Sequence, residues 1–153
     1  MIMGKVGPKV GLILFPLLLF PLLSAKNGEL PREMTTESGQ KMIQVPAGSF
    51  IMGDKKGQVD EKPEHKVRLS SFYIDKYPVT QEEYEKVMGE NPSRWKRNNN
   101  PVERVSWAGT AKYCNARSRL EGLRLCYNTE TWECDFDANG YRLPTEEIGR
   151  AVV

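Results

Sequence analysis

From Met42 onward the chain sets short apolar runs between stretches of polar punctuation. Met42-Ile43-Gln44-Val45 and Ser49-Phe50-Ile51-Met52 flank Pro46-Ala47-Gly48, which predicts two short strands closed by a tight turn into a hairpin. After the charged stretch Gly53 to Glu64, His65-Lys66-Val67-Arg68-Leu69 alternates as a half-buried strand does, and Phe72-Tyr73-Ile74 follows as the next strand. Thr80-Gln81-Glu82-Glu83 is a capping box, Val79 and Tyr84 stand as a hydrophobic staple, and Gly89 is placed to end that helix. Asn91 to Pro101 is a polar loop whose Trp95 is the tryptophan expected at the surface. A second helix is predicted from Trp107 to Glu121, started by Ser106 and followed by Gly122, with Trp107, Ala111 and Cys114 on its inward face. Leu123 to Leu143 reads as a loop and hairpin, with Asn139-Gly140 supplying the positive φ of its turn. Short strands mixed with two helices predict an α+β fold with little regular secondary structure.

A third helix opens at Pro144-Thr145-Glu146-Glu147-Ile148, with Thr145 as its cap and two carboxylates at the positive end of its dipole. It runs on into Gly149-Arg150-Ala151-Val152-Val153, which has no apolar stripe. An isolated helix needs roughly 12 residues. The expectation is a domain truncated within residues 42–153.

The other end has a different character. Met1 to Ala25 carries Lys5 and Lys9, then Val10 to Leu23 without a charged or polar side chain, then Leu23-Ser24-Ala25 before Lys26, the layout of a signal peptide. The apolar run is broken by Pro16 and Pro21 and is too short for a span, which takes about 20 residues, so no stable membrane anchor is expected. Residues 26–41 are polar and without periodicity, and read as a linker. Removal of the leader leaves 20 basic against 20 acidic residues. That balance argues against nucleic-acid binding, which calls for a basic excess to neutralise phosphates. The expected location is exported, periplasmic or secreted.

Candidate chemistry is sparse. Asp135-Phe136-Asp137-Ala138-Asn139-Gly140 with Glu146 satisfies the spacing of a calcium loop. Trp132-Glu133-Cys134 lacks a helical run, Leu143-Pro144 stiffens the loop and Arg142 puts a positive charge inside it, so a hairpin turn is the preferred reading. Cys114, Cys126 and Cys134 have no paired metal-ligand spacing and only His65 for company, which argues against zinc. A structural role is favoured, with a bridge between Cys126 and Cys134 and with Cys114 buried on its helix or paired elsewhere. His65 reads as a packing or hydrogen-bonding residue. Tyr73, Tyr84, Trp107, Tyr113 and Tyr141 read as core rather than as a ligand groove.

Taken in order, Val45-Pro46-Ala47-Gly48-Ser49-Phe50-Ile51-Met52-Gly53, Phe72-Tyr73-Ile74 to Val79-Thr80, Tyr84, Asn100-Pro101-Val102 to Val105-Ser106-Trp107, Ala111-Lys112-Tyr113-Cys114 and Gly140-Tyr141-Arg142-Leu143-Pro144-Thr145-Glu146 resemble the sulfatase-modifying factor family, the formylglycine-generating enzymes and their relatives. The resemblance runs from about Met42 to Glu146. It implies a mixed fold related to C-type lectin-like folds. It also implies, for an active full-length parent, copper held by two cysteines that uses oxygen to convert a sulfatase cysteine to formylglycine, so that the implied partner is a sulfatase polypeptide. That cysteine pair lies in the C-terminal half of the family domain. None of Cys114, Cys126 or Cys134 matches it, so no catalytic, cofactor-binding or metal residue is assigned here, and this fragment is expected to be inactive and without a cofactor of its own. Cys114 matches a helix cysteine that some secreted members pair with a C-terminal partner. The chain departs from the family where Glu147-Ile148-Gly149-Arg150 replaces the usual Ala-Glu-Trp-Glu, as a frameshift or gene-end artefact would, and where Gly109 stands in place of a common acid. A non-catalytic binding or accessory module on the same fold is the alternative.

Overall fold

The computed structural model describes the backbone of residues 4–6 and residues 31–151. The rest of the segment read as a signal peptide, and the start of the linker, lie outside the described residues. The elements in chain order are Gly4–Val6 (β1), Glu33–Thr35 (β2), Lys41–Val45 (β3), Gly48–Met52 (β4), His65–Leu69 (β5), Phe72–Asp75 (β6), Gln81–Met88 (α1), Trp107–Leu120 (α2), Tyr141–Arg142 (β7) and Glu146–Ala151 (α3). Five strands form one sheet in the order β2-β3-β6-β1-β7, with every neighbouring pair antiparallel. β4 and β5 form a separate two-stranded sheet.

Two expectations change here. The hairpin predicted between Met42 and Met52 does not form, because β3 pairs with β2 on one edge and β6 on the other, leaving no edge for β4. β4 pairs instead with β5 from Gly48 opposite Leu69 to Met52 opposite His65, and Pro46-Ala47 carries the chain from one sheet to the other. Residues 26–41 are likewise not all linker. Glu33–Thr35 pairs with β3, and Thr36 and Gln40 are buried in the turn between them, where the Thr36 hydroxyl accepts from the Gln40 amide at 3.1 Å. Polar side chains that bury themselves by bonding their own turn leave no apolar periodicity to read.

β6 divides the interior. Successive residues of a strand face opposite sides, so Tyr73 enters a large cluster with Met42, Val79, Tyr84, Ala111, Tyr113, Cys114 and Tyr141, while Phe72 and Ile74 meet Ile148 of α3 in a smaller one. The core aromatics are where the sequence put them except Trp107, which is 52% exposed on the first turn of α2. There it lies edge-on to Tyr127 and Trp132, each at 5.7 Å.

The helices start and stop as their local chemistry dictates. Thr80 accepts from the Glu83 amide at 3.3 Å while Glu83 accepts from the Thr80 amide at 2.8 Å, and Gly89 ends α1 in the left-handed region at φ 78°. Ser106 caps α2 by accepting from the Gly109 amide at 3.1 Å, so the missing acid at Gly109 does not leave the start open. Tyr84 of α1 stacks on Tyr113 of α2 at 5.1 Å. The polar loop after α1 is organised by the buried Gln81, whose side chain donates to the Trp95 carbonyl and accepts from Asn91 and the Arg97 amide. Trp95 itself is 69% exposed, as expected.

Gly140 has a different role from the one predicted. Neither Asn139 nor Gly140 takes a positive φ. A Cβ at Gly140 would instead lie 2.1 Å from the Arg124 carbonyl oxygen and 2.7 Å from Ser118 Oγ, so the residue is a contact point between β7 and α2.

Candidate functional site

Three features gather the residues with chemical potential. The first is the thiol cluster. α2 carries Cys114 inward, and Asn115 clamps the following segment by donating to the Tyr127 carbonyl at 2.7 Å and accepting from the Tyr127 amide at 3.1 Å. This clamp brings Cys126 and Cys134 against the same apolar cluster as Cys114. No disulfide joins Cys126 to Cys134. The expected bridge between Cys126 and Cys134 is absent because the register is offset by one, with Cys134 opposite Tyr127, and Cys126 accepting from the Asp135 amide.

Burial pushes all three thiols above their ordinary value, Cys114 most strongly. The thiolate is the nucleophile and the metal ligand, so a thiol held protonated does neither job. Among the described residues no group of three His, Cys, Asp or Glu side chains converges on a point.

The second feature is the loop with calcium-like spacing. Its first carboxylate is already engaged: Asp135 accepts from the Asp137 amide at 2.8 Å and faces the Arg124 guanidinium at 3.5 Å. Asn139 accepts from the Arg124 amide, and Arg142 lies over Phe136 at 5.4 Å while donating to the carbonyls of Phe136 and Ala138. Glu146 lines a different cleft, of about 430 Å³, with His65, Asp54 and Glu61. A cation site needs its oxygens around one point; here a guanidinium faces the loop and the distant Glu is elsewhere. The loop is braced by its own turns. His65 is exposed, with Nδ1 3.1 Å from the Pro63 carbonyl, as befits a hydrogen-bonding residue.

The third feature is a cleft of about 590 Å³ between the β5–β6 turn, the loop at 136–139 and α3. Arg68, Arg124 and Arg142 line it with Ser70, Ser71 and Asn139, and Asp137 is the one acid among the described residues that line it. Leu69, Phe72, Phe136 and Ile148 supply apolar wall. Among the described residues no thiol or imidazole lines it. Guanidinium and hydroxyl groups of this kind hold and orient an acidic or polar chain. Sequence reasoning missed the cleft because its arginines are 18 to 74 residues apart and each sits singly in a strand or loop.

The model of the "Sulfatase-modifying factor enzyme 1-like domain" matches residues 27–148. The chain belongs to the sulfatase-modifying factor family. Among its relatives, the chaperone protein LppX of Paenibacillus barcinonensis is 36% identical over 147 residues, covering 84% of this chain and 51% of the relative. The inactive C-alpha-formylglycine-generating enzyme 2 of Mus musculus is 26% identical over 173 residues, covering 92% of this chain and 54% of that protein. Among solved structures, Treponema denticola variable protein 1 is similar with a TM-score of 0.69 and 26% identity, over 80% of this chain and 56% of that one. This sulfatase-modifying factor chain thus spans about half the length of the relatives it matches, with the mixed architecture of its structural neighbours. No helix among its described residues is long and apolar enough to cross a membrane.

Proposed function

We propose that this chain is the N-terminal scaffold portion of an exported sulfatase-modifying factor domain, whose intact parent oxidises a sulfatase cysteine to formylglycine, and that the chain carries none of that oxidation itself. The observation that carries the reading is the state of the thiols: Cys114, Cys126 and Cys134 all pack into one apolar cluster with their protons held by burial. Copper chemistry belongs to cysteines outside this chain. What the chain offers is surface, above all the arginine-lined cleft, suited to holding an extended polypeptide.

Incubation with copper, oxygen and a cysteine-bearing sulfatase peptide, followed by mass spectrometry, should leave the peptide cysteine unchanged. Conversion to the aldehyde by this chain alone contradicts the assignment. An accessory role without oxidation anywhere in the parent is a second reading, supported by the names of two relatives, a chaperone and an inactive enzyme. The two part on whether the parent with its remaining half converts the same peptide.

A further inference from the structure

The cleft beside the β5–β6 turn holds an electrostatic imbalance. Among the described residues that line it, Arg68, Arg124 and Arg142 are set against a single acid, Asp137. The three guanidinium groups differ in how well they are answered. Arg142, on β7, is only 9% exposed, donates to the carbonyls of Phe136 and Ala138 at 3.3 and 3.4 Å, and lies 5.4 Å from the centre of the Phe136 ring. Carbonyls and a ring face engage its N–H groups without cancelling its charge. Arg124 is shared with Asp135 at 3.5 Å, a solvent-exposed pair that holds its partners weakly. Arg68 is exposed and, like Arg142, forms no ion pair with another described residue. A buried guanidinium that no carboxylate balances is costly to the fold, and an anion entering beside it relieves that cost.

We propose that this cleft binds an acidic polypeptide segment in which carboxylates flank an apolar residue. This occupant deepens the reading of the chain as a polypeptide-holding scaffold and rests on it. Charge complementarity selects the acid: carboxylates match the guanidinium fork with two parallel hydrogen bonds, and three such forks converge from β5, the loop after α2 and β7. The apolar wall selects the rest. Leu69, Phe136 and Ile148 share the cleft with the arginines, and Phe136 is 61% exposed, so its ring is open to a partner's side chain. A lone phosphate or small carboxylate would answer one arginine and leave this wall in water. The volume of about 590 Å³ is that of a cleft holding a ligand larger than either. Ser70 and Ser71 add hydroxyl groups that donate to or accept from a peptide backbone.

The probe is the peptide acetyl-Glu-Asp-Phe-Asp-Glu-amide, titrated into the full chain by calorimetry at low salt. One site should fill, and its affinity should fall about ten-fold or more between about 50 and 500 mM salt. Arg68→Gln and Arg124→Gln replace exposed side chains, so the fold should persist by circular dichroism, and each should weaken binding about three- to ten-fold. Lys86→Gln on the exposed face of α1 should leave the affinity unchanged. The uncharged peptide acetyl-Gln-Asn-Phe-Asn-Gln-amide should bind at least about ten-fold more weakly. Equal binding of the two peptides overturns the acidic preference and leaves the polypeptide-holding surface standing, whereas binding of neither overturns both. Inorganic phosphate or glutarate that binds as tightly as the acidic peptide makes the cleft a small-anion site and overturns the polypeptide class. Binding that both arginine variants leave intact places the peptide elsewhere and overturns the cleft. The oxidation assay with copper and a sulfatase peptide tests the scaffold reading apart from all of these.

Discussion

Arg117 enters the interior near the end of α2, and its guanidinium works in several directions at once. It forms a two-pronged pair with Asp75 of β6 at 2.7 and 2.9 Å, lies 4.0 Å from the centre of the Tyr141 ring on β7, and donates to Ser38 in the β2–β3 turn at 3.3 Å. Ser38 and Tyr141 both donate to Glu121, closing a network across the larger core. Burial works to raise the Asp75 carboxyl, and the paired guanidinium opposes it. Removing one partner leaves the other charge buried and alone, so Arg117→Met should cost about 3–5 kcal/mol in a urea titration, a large share of the 5–15 typical of a domain. Arg117→Lys should recover little, since an ammonium cannot reproduce the two-pronged geometry or the stacking. A loss below about 1 kcal/mol would mean the network is ornamental to stability. None of this was legible beforehand. Asp75 and Arg117 are 42 residues apart, and a charge pair at that separation leaves no periodic trace.

Elements divide by whether their signals are local. The Thr80 box, the Ser106 cap and the Gly89 stop each involve groups within a turn of one another, and all three form as the residues suggest. Thr80→Ala removes the acceptor for the Glu83 amide and should lower stability by about 1 kcal/mol by thermal or chemical denaturation, with the fold unchanged. An unaltered midpoint would show that packing of Val79 and Tyr84 alone holds the helix start. Strand pairing, by contrast, is decided at a distance. Each strand of the misread hairpin was correctly seen as a strand, but the apolar pattern of Met42 to Val45 says nothing about which edges are free, and β2 and β6 take both. Gly140 is similar: the Asn-Gly pair suggested a turn, whereas what excludes a side chain there is the Arg124 carbonyl, brought in by tertiary packing. The candidate site followed the same rule. The bridge expected between Cys126 and Cys134 depends on a register that the sequence does not show, and the arginine cleft is assembled from three separate segments, so neither outcome had a local signal.

At the scale of the whole molecule the interior is rich in weak acids kept neutral. Burial raises Tyr73, Tyr84, Tyr113, Tyr127 and Tyr141 above the ordinary value of 10.0, Tyr127 to about 12, and raises the three thiols above 9.0. In the unfolded chain these groups release their protons at the ordinary values, so above pH 9 the unfolded state binds fewer protons than the folded one and stability must fall as pH rises. The stabilising effect is complete below the unfolded values and is lost as the pH climbs through the folded ones. Urea titrations should therefore give constant stability from these groups near neutrality and a steepening loss between about pH 9 and 12, with the phenolate absorbance of these five tyrosines rising later in the folded protein than in the unfolded chain. Stability that stays level through that range would mean the aromatic core admits water.

The reading of the chain as scaffold stands on the same chemistry, and alkylation of the thiols tests it most directly. The folded chain, treated with iodoacetamide at about pH 8 and mapped by mass spectrometry, should show Cys114 and Cys126 unmodified and Cys134 modified slowly, with all three reacting once the protein is denatured. Rapid modification of Cys114 or Cys126 in the folded chain, or protection of a thiol pair by added copper, would contradict it, since either would place reactive cysteine chemistry inside this chain.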